Sequence, residues 1–150
     1  MATRKLTKTG TPSTSKSLVD RLDLFAIGLD SLSASLDRSN YASANPEGKK
    51  RVTRSMESTY MVSDYSKEHF DVTATLSLRI EAVGIENPIL ALNMAVTGHF
   101  HPKKTLSLED AELFANAEAR LIFWPYFRQI VSDTTGRMHI PPITLPLAVR

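Results

Sequence analysis

From residue 69 to residue 83 every second residue is apolar. Phe70, Val72, Ala74, Leu76, Leu78, Ile80 and Ala82 alternate with Asp71, Thr73, Thr75, Ser77, Arg79 and Glu81. Successive side chains of a strand point to opposite faces, so this alternation predicts a strand with one apolar and one polar face. A second run, residues 89–101, places Leu90, Leu92, Met94, Val96 and Phe100 on one face in the same way. Only residues 84–88 separate the two runs. That link is too short for the crossover a parallel pair needs, so the two strands must pair antiparallel.

The flanking segments complete an order of elements. Residues 55–66 read as a strand centred on Tyr60, Met61 and Val62. Upstream, Leu18, Leu22, Phe25, Leu29, Leu32 and Leu36 recur at steps of four and three, a helical spacing. Gly28 interrupts that pattern, and beyond it Asp30, Leu32, Ala34 and Leu36 alternate with Leu29 and three serines as a strand would. The reading that accommodates both is a short helix near 17–26 and a first strand near 28–38. Residues 39–53 form a polar connection around Asn45-Pro46 and Glu47-Gly48. After a turn at Pro102, Ser107 is a candidate N-cap, with Glu109 and Asp110 where negative charge suits a helix N-terminus. That helix runs to about Glu118 or Ala119 and offers Leu108, Ala111, Leu113, Phe114 and Ala115 for burial.

Residues 121–146 hold the only Trp, three of the ten Phe and Tyr, and four of the eight Pro. Pro fits the first turn of a helix, where its missing N–H costs nothing, so Pro125 predicts a helix beginning near Phe123 or Trp124. Tyr126, Phe127, Ile130, Val131 and Thr134 mark an apolar stripe, with Arg128, Gln129, Ser132 and Asp133 turned outward. Gly136 suits the left-handed position after the last turn, with Arg137 beside the exposed carbonyls. Pro141, Pro142 and Pro146 then impose an extended conformation. Four strands followed by two helices make an α+β domain with a four-stranded antiparallel sheet.

Composition narrows the function. At 150 residues one domain is expected, over residues 18–150, and it needs no disulfide or metal staple. There is no Cys, hence no thiolate chemistry. The start is polar and cationic without an apolar h-region, so it is not a secretory signal. The longest apolar run, residues 121–127, is far short of the about 20 residues a membrane span requires. A soluble, cytoplasmic protein is expected. The net charge of +2 is uneven, +5 over residues 1–54 and −3 over the remainder. Residues 1–17, rich in Thr, Ser and Lys, read as a disordered basic arm. Such an arm can contact nucleic-acid phosphates, but it carries no aromatics for base stacking, and a solubilising tail or one that orders on a protein partner is the plainer account.

Chemistry-bearing constellations are sparse. Neither GxGxxG nor GxxxxGK[ST] occurs, so no nucleotide is expected. His99 and His101 share a strand face and could hold a metal, although no third ligand is near in sequence and two exposed strand-end histidines explain them as well. Glu109, Asp110 and Glu112 read as helix N-terminal electrostatics, and Ser132-Asp133 lacks a nucleophile elbow. No catalytic residue, cofactor or metal is therefore expected. By contrast Leu121, Ile122, Phe123, Trp124, Tyr126 and Phe127 point all round the helix axis. One small sheet offers one face for two helices, so part of this surface must meet another subunit or a ligand. Leu121, Ile122, Tyr126 and Ile130 are the candidate oligomer contacts.

The run Phe123, Trp124, Pro125, Tyr126 with Arg128, then Asp133, Thr134, Thr135, Gly136 and Arg137, then Pro141 to Leu145, resembles the helical end of the SecB family. That family comprises the export chaperones and the SecB-like chaperones of toxin-antitoxin-chaperone systems. With the strand order, the likeness covers about residues 25–147. It implies an ATP-independent holdase, a dimer of dimers whose apolar grooves hold unfolded polypeptide. The matched motif points to Phe123, Trp124 and Phe127 as client-binding residues, and Met138 is a further candidate. Inference from exposure adds Tyr60, Met61, Val62 and Tyr65. The TTGR and PPITL sequences look closer to the chaperones that protect an antitoxin. A general export chaperone delivering preproteins to SecA, and a nucleic-acid-binding adaptor, are the alternatives.

Overall fold

The computed structural model describes residues 17–44 and 51–147. Apart from Ser17, the basic arm expected at residues 1–17 lies outside the described residues, as does the Asn45-Pro46, Glu47-Gly48 connection. Among the described residues there are four strands, β1 (Leu22–Leu36), β2 (Val52–Tyr65), β3 (Phe70–Ala82) and β4 (Leu90–Pro102). They form one sheet in the order β1-β4-β3-β2, each neighbour antiparallel. Three helices accompany it, α1 (Arg38–Ala44), α2 (Leu108–Ala117) and α3 (Ala119–Arg137). The α+β class and the antiparallel sheet are those expected.

The central strands behave as their alternation dictates. Phe70, Val72, Ala74, Leu76 and Leu78 of β3, with Leu90, Leu92, Met94, Val96 and Phe100 of β4, are buried beneath the helices. The opposite face is polar. Thr73 bonds Thr97 at 3.0 Å, Thr97 donates to Asp30, and Thr59 bonds Thr75 across the strands. Gly98 belongs to the buried row because a Cβ there would stand 2.9 Å from the Phe123 ring and 3.0 Å from that of Phe100. The missing side chain lets an aromatic from α3 lie directly on the strand.

The expected helix at 17–26 is corrected. Only a 3-10 turn, Leu18–Arg21, precedes β1, which starts at Leu22. The helical spacing has a specific origin in two β-bulges, where Phe25 and Asp30 have no partner in the register with β4. Each bulge adds one residue to the strand. Leu24, Ile27, Leu29, Leu32, Ala34 and Leu36 therefore all fall on the apolar face, opposite Phe100, Gly98, Val96, Met94, Leu92 and Leu90. Interrupting a period of two in this way produces steps of three that imitate a helix.

The first half of the 39–53 connection is also corrected, since residues 38–44 form α1. Asp37 caps it, its Oδ1 accepting the Asn40 N–H at 2.9 Å. The α2 cap is as read: Ser107 Oγ accepts from the Asp110 amide at 3.1 Å. Helix α3 starts four to five residues earlier than expected, so Pro125 lies inside it. Pro125 and Leu121, whose carbonyl loses its helical donor to the proline, are both on the exposed side. At the other end Gly136 remains helical, and His139, at φ 58°, takes the left-handed position instead. No helix among the described residues is long and apolar enough to cross a membrane.

Glu118 separates α2 from α3 and ties both to the start of the domain. Its carboxylate accepts from Ser17 Oγ at 2.7 Å and from the Val19 and Leu18 amides at 2.8 and 3.1 Å. Burial pushes the carboxyl up, but these bonds outweigh it and hold the group below the usual glutamate range. A carboxyl depressed on folding contributes stability above its unfolded pKa and loses that contribution as pH falls through the folded one. Glu118→Gln should therefore lower the melting temperature by roughly 3 °C at neutral pH. Its deficit should shrink as pH falls below about 4. Thermal melts from pH 3 to 7 check this; a deficit independent of pH would show that the carboxylate charge is not involved.

Candidate apolar binding surface

Helix α3 buries residues at every fourth position. Ala119, Phe123, Phe127, Val131 and Thr135 form the stripe, with Trp124 beside it. Phe123 and Phe127 are fully enclosed by this chain's own sheet, and Trp124 is 4% exposed. Phe123 lies 6.3 Å from Phe100 and 6.1 Å from Tyr60, and Trp124 meets Phe127 edge-on at 6.3 Å. Phe123, Trp124 and Phe127, the residues expected to line a groove, are thus enclosed by their own chain. Within one chain they present almost no surface to a ligand, because they supply the contact that binds helix to sheet.

Trp124 has a second task. Its Nε1–H donates to the Pro146 carbonyl at 2.7 Å, and Arg128 Nε donates to that of Leu145 at 2.9 Å. The extended segment after α3 is strapped back along the helix by these two bonds, with Ile143 and Leu145 buried beneath it. Thr135 completes the fastening: its hydroxyl donates to the Val131 carbonyl at 2.8 Å and accepts from the Ile143 amide at 2.9 Å. The aromatic, arginine and proline residues that drew attention in the sequence thus cooperate in one packing arrangement.

The four candidates on β2 divide between faces. Tyr60, Val62 and Tyr65 are half-buried on the helix side, and the Tyr65 hydroxyl donates to the Leu106 carbonyl at 2.5 Å. Met61 points from the opposite face and is 61% exposed. The Tyr60 hydroxyl is buried beside Ser58 and forms no well-oriented hydrogen bond among the described residues. Burial pushes its pKa above the usual tyrosine value despite Ser58 and the charge of Arg120.

Two apolar surfaces remain open. On the helix side of β1, Leu24, Leu29 and Leu32 are 38%, 48% and 40% exposed, although their partners on β4 are buried. Leu32 and Ala34 form one wall of a cleft whose other wall is α3, with Ile130, Thr134, Arg137 and Met138. Met138 and Ile130, expected respectively at the client and oligomer sites, therefore share one cleft. Of the other expected oligomer contacts, Leu121 is exposed, Tyr126 moderately exposed and Ile122 half-buried.

The second opening lies at the far end of the sheet. It is a cavity of ≈ 210 Å³ lined by Leu36, Tyr41, Val52, Ile80, Ile89 and Ile143 among others, almost wholly apolar. Sequence reading missed it because Tyr41 and Ala44 of α1 form part of its lining, and α1 has no apolar periodicity. Asp37 followed by Asn40 was the available signal, an acidic cap with no strong breaker before Ala44.

Three of the four histidines, His69, His99 and His101, gather on the polar face of the sheet. His99 Nδ1 is 2.6 Å from Asp71 Oδ1, and the His101 ring lies 5.1 Å from that of Phe25 and 6.2 Å from that of His69. Among the described residues no three His, Asp or Glu side chains are arranged to hold a metal ion.

Against solved structures, the chain matches a SecB-like chaperone of Mycobacterium tuberculosis, Rv1957, determined in complex with a ChAD peptide from the HigA1 antitoxin. The TM-score is 0.70 at 23% identity, over 87% of this chain and 93% of that one. The fold is SecB-like. A protein of unknown function from Streptococcus agalactiae also matches, with a TM-score of 0.50 and 11% identity over 84% of this chain and 97% of that one. No protein-family model matches the sequence, and no curated protein does. In this chain the β1 edge of the sheet extends past its helical cover, leaving an open apolar strip beside α3.

Proposed function

We propose that this chain is a holdase chaperone that protects an antitoxin by binding an exposed segment of it. What supports the reading is the fold shared with a chaperone solved with an antitoxin peptide. The α3 wall of the cleft, with Ile130 and Met138, supplies apolar surface for such work, while the uncovered strip Leu24, Leu29 and Leu32 is the surface a second copy takes. In this proposal the clients are held by the β1–α3 cleft, with Ile130 and Met138 as contacts, and by the half-buried row Tyr60, Val62 and Tyr65. Phe123, Trp124 and Phe127 stabilise the fold by fastening α3 to the sheet and do not touch clients. The sequence offers no nucleotide motif, and release follows from weak binding, not from hydrolysis. At roughly 25 cal/mol per Å² of apolar area, one short segment is held weakly. Several grooves on one particle raise the effective concentration and give avidity. Self-association is part of the same proposal: a second copy covers the β1 edge, and Leu121 and Tyr126 mark a further contact between pairs.

Co-expression tests the reading directly. The chain should raise the soluble level of an antitoxin encoded beside it and delay aggregation of a chemically denatured test protein at stoichiometric ratio. An antitoxin whose solubility is unchanged, together with an undelayed aggregation trace, would refute the assignment.

A further inference from the structure

The cavity beneath the start of β2 has a charged rim as well as an apolar floor. Val52 and Ile80 belong to its lining. Arg54 is paired with Ile80 in the ladder and so stands on the same face as Val52, two residues along the strand. It is exposed and forms no ion pair or hydrogen bond through its side chain among the described residues. Two nearby carboxylates among the described residues are accounted for. Asp37 caps α1 at 2.9 Å, and Glu81 pairs with Arg79 at 3.0 Å on the opposite face. The strand itself is an edge, with no backbone partner on its outer side among the described residues.

We propose that this edge and cavity bind an extended peptide segment in which a large apolar residue and an Asp or Glu stand two positions apart. The inference rests on the chaperone reading and names the client class that one of its sites selects. A fifth strand added to β2 would place the residue opposite Val52 over the cavity and the residue opposite Arg54 beside the guanidinium, both on one face. A carboxylate one position from the apolar residue would face the other way. Because a dry cavity of about 150 Å³ admits benzene, the ≈ 210 Å³ here accommodates an aromatic side chain. Main-chain bonds to the edge supply affinity that is indifferent to sequence, and the cavity with Arg54 supplies the choice.

Fluorescence anisotropy on the full chain tests this with three labelled peptides in one host sequence, carrying Trp-x-Glu, Trp-x-Lys or Trp-Glu-x. The first should bind about fivefold tighter than the second, the scale of one exposed ion pair. The third should lose most of that advantage. Arg54→Glu, at an exposed position, should invert the preference between the Glu and Lys peptides, with circular dichroism confirming that the variant is folded. Equal affinity for the Glu and Lys peptides, or a preference that survives Arg54→Glu, overturns the proposal. Aggregation delay measured on the same samples separates the two levels: delay without charge preference removes this inference alone, whereas neither binding nor delay removes the chaperone reading with it.

Discussion

Phe123→Ala should lower the melting temperature by about 10 °C while leaving the exposed binding surface unchanged. The ring is fully buried, stands 6.3 Å from Phe100 and 6.1 Å from Tyr60, and fills the space that Gly98 keeps open on β4. Truncating a core Phe to Ala costs about 3–5 kcal/mol, and each kcal/mol moves the midpoint of a domain of this size by about 2–4 °C. Differential scanning calorimetry reads the shift. Peptide affinity below the transition should stay within about twofold, because the loss is one of packing. A variant that melts like the parent but binds peptide poorly would return Phe123 to the groove where the family resemblance placed it.

The second large effect is on assembly. Leu29→Asp combined with Leu32→Asp should split the proposed assembly at its β1 contact and lower the number of copies per particle without unfolding the chain. Both side chains are roughly half exposed in one chain, so the substitutions leave the monomer core intact. In a symmetric pair each position occurs twice. With about 1 kcal/mol of remaining burial per leucine, and four carboxylates brought into an apolar contact, association should weaken by roughly a thousandfold. Sedimentation velocity at micromolar concentration distinguishes the outcomes. An unchanged sedimentation coefficient would show that the β1 strip does not join copies and leave it to other ligands.

The strands were legible wherever burial was one-sided and uninterrupted. β3 and β4 extend within one residue of their expected limits because the period of two runs their full length. β1 was not legible. Its bulges at Phe25 and Asp30 each insert a residue, and the leucines that share a face lie at mixed spacings that no single period describes. Helix α3 was recognised but begun too late, because Pro125 is more often found in a first turn than in an interior one. The aromatic group raised a different difficulty. A helix apolar on every side must bury two surfaces, yet composition does not say which residues face inward. The structure assigns Phe123, Trp124 and Phe127 to the chain's own core and leaves Leu121 and Tyr126 outside. Likewise Met61 and Val62, adjacent in sequence, cannot serve one groove, since neighbours on a strand face opposite ways.

Glu118 grips the chain at Ser17 and Trp124 grips it at Pro146, six positions apart on the same helical path. At 1.5 Å of rise per residue, those anchors are separated by about 9 Å along the axis. A glycine-serine bridge long enough to pass part-way round α3 would therefore join the two ends of the folded unit, and fresh ends opened between Ala44 and Val52 would give a circular permutant retaining the described strands and helices. Reporter groups fused before Ser17 and after Pro146 would sit close enough for strong energy transfer. Loss of that signal on heating would report when the junction of α2 and α3 lets go.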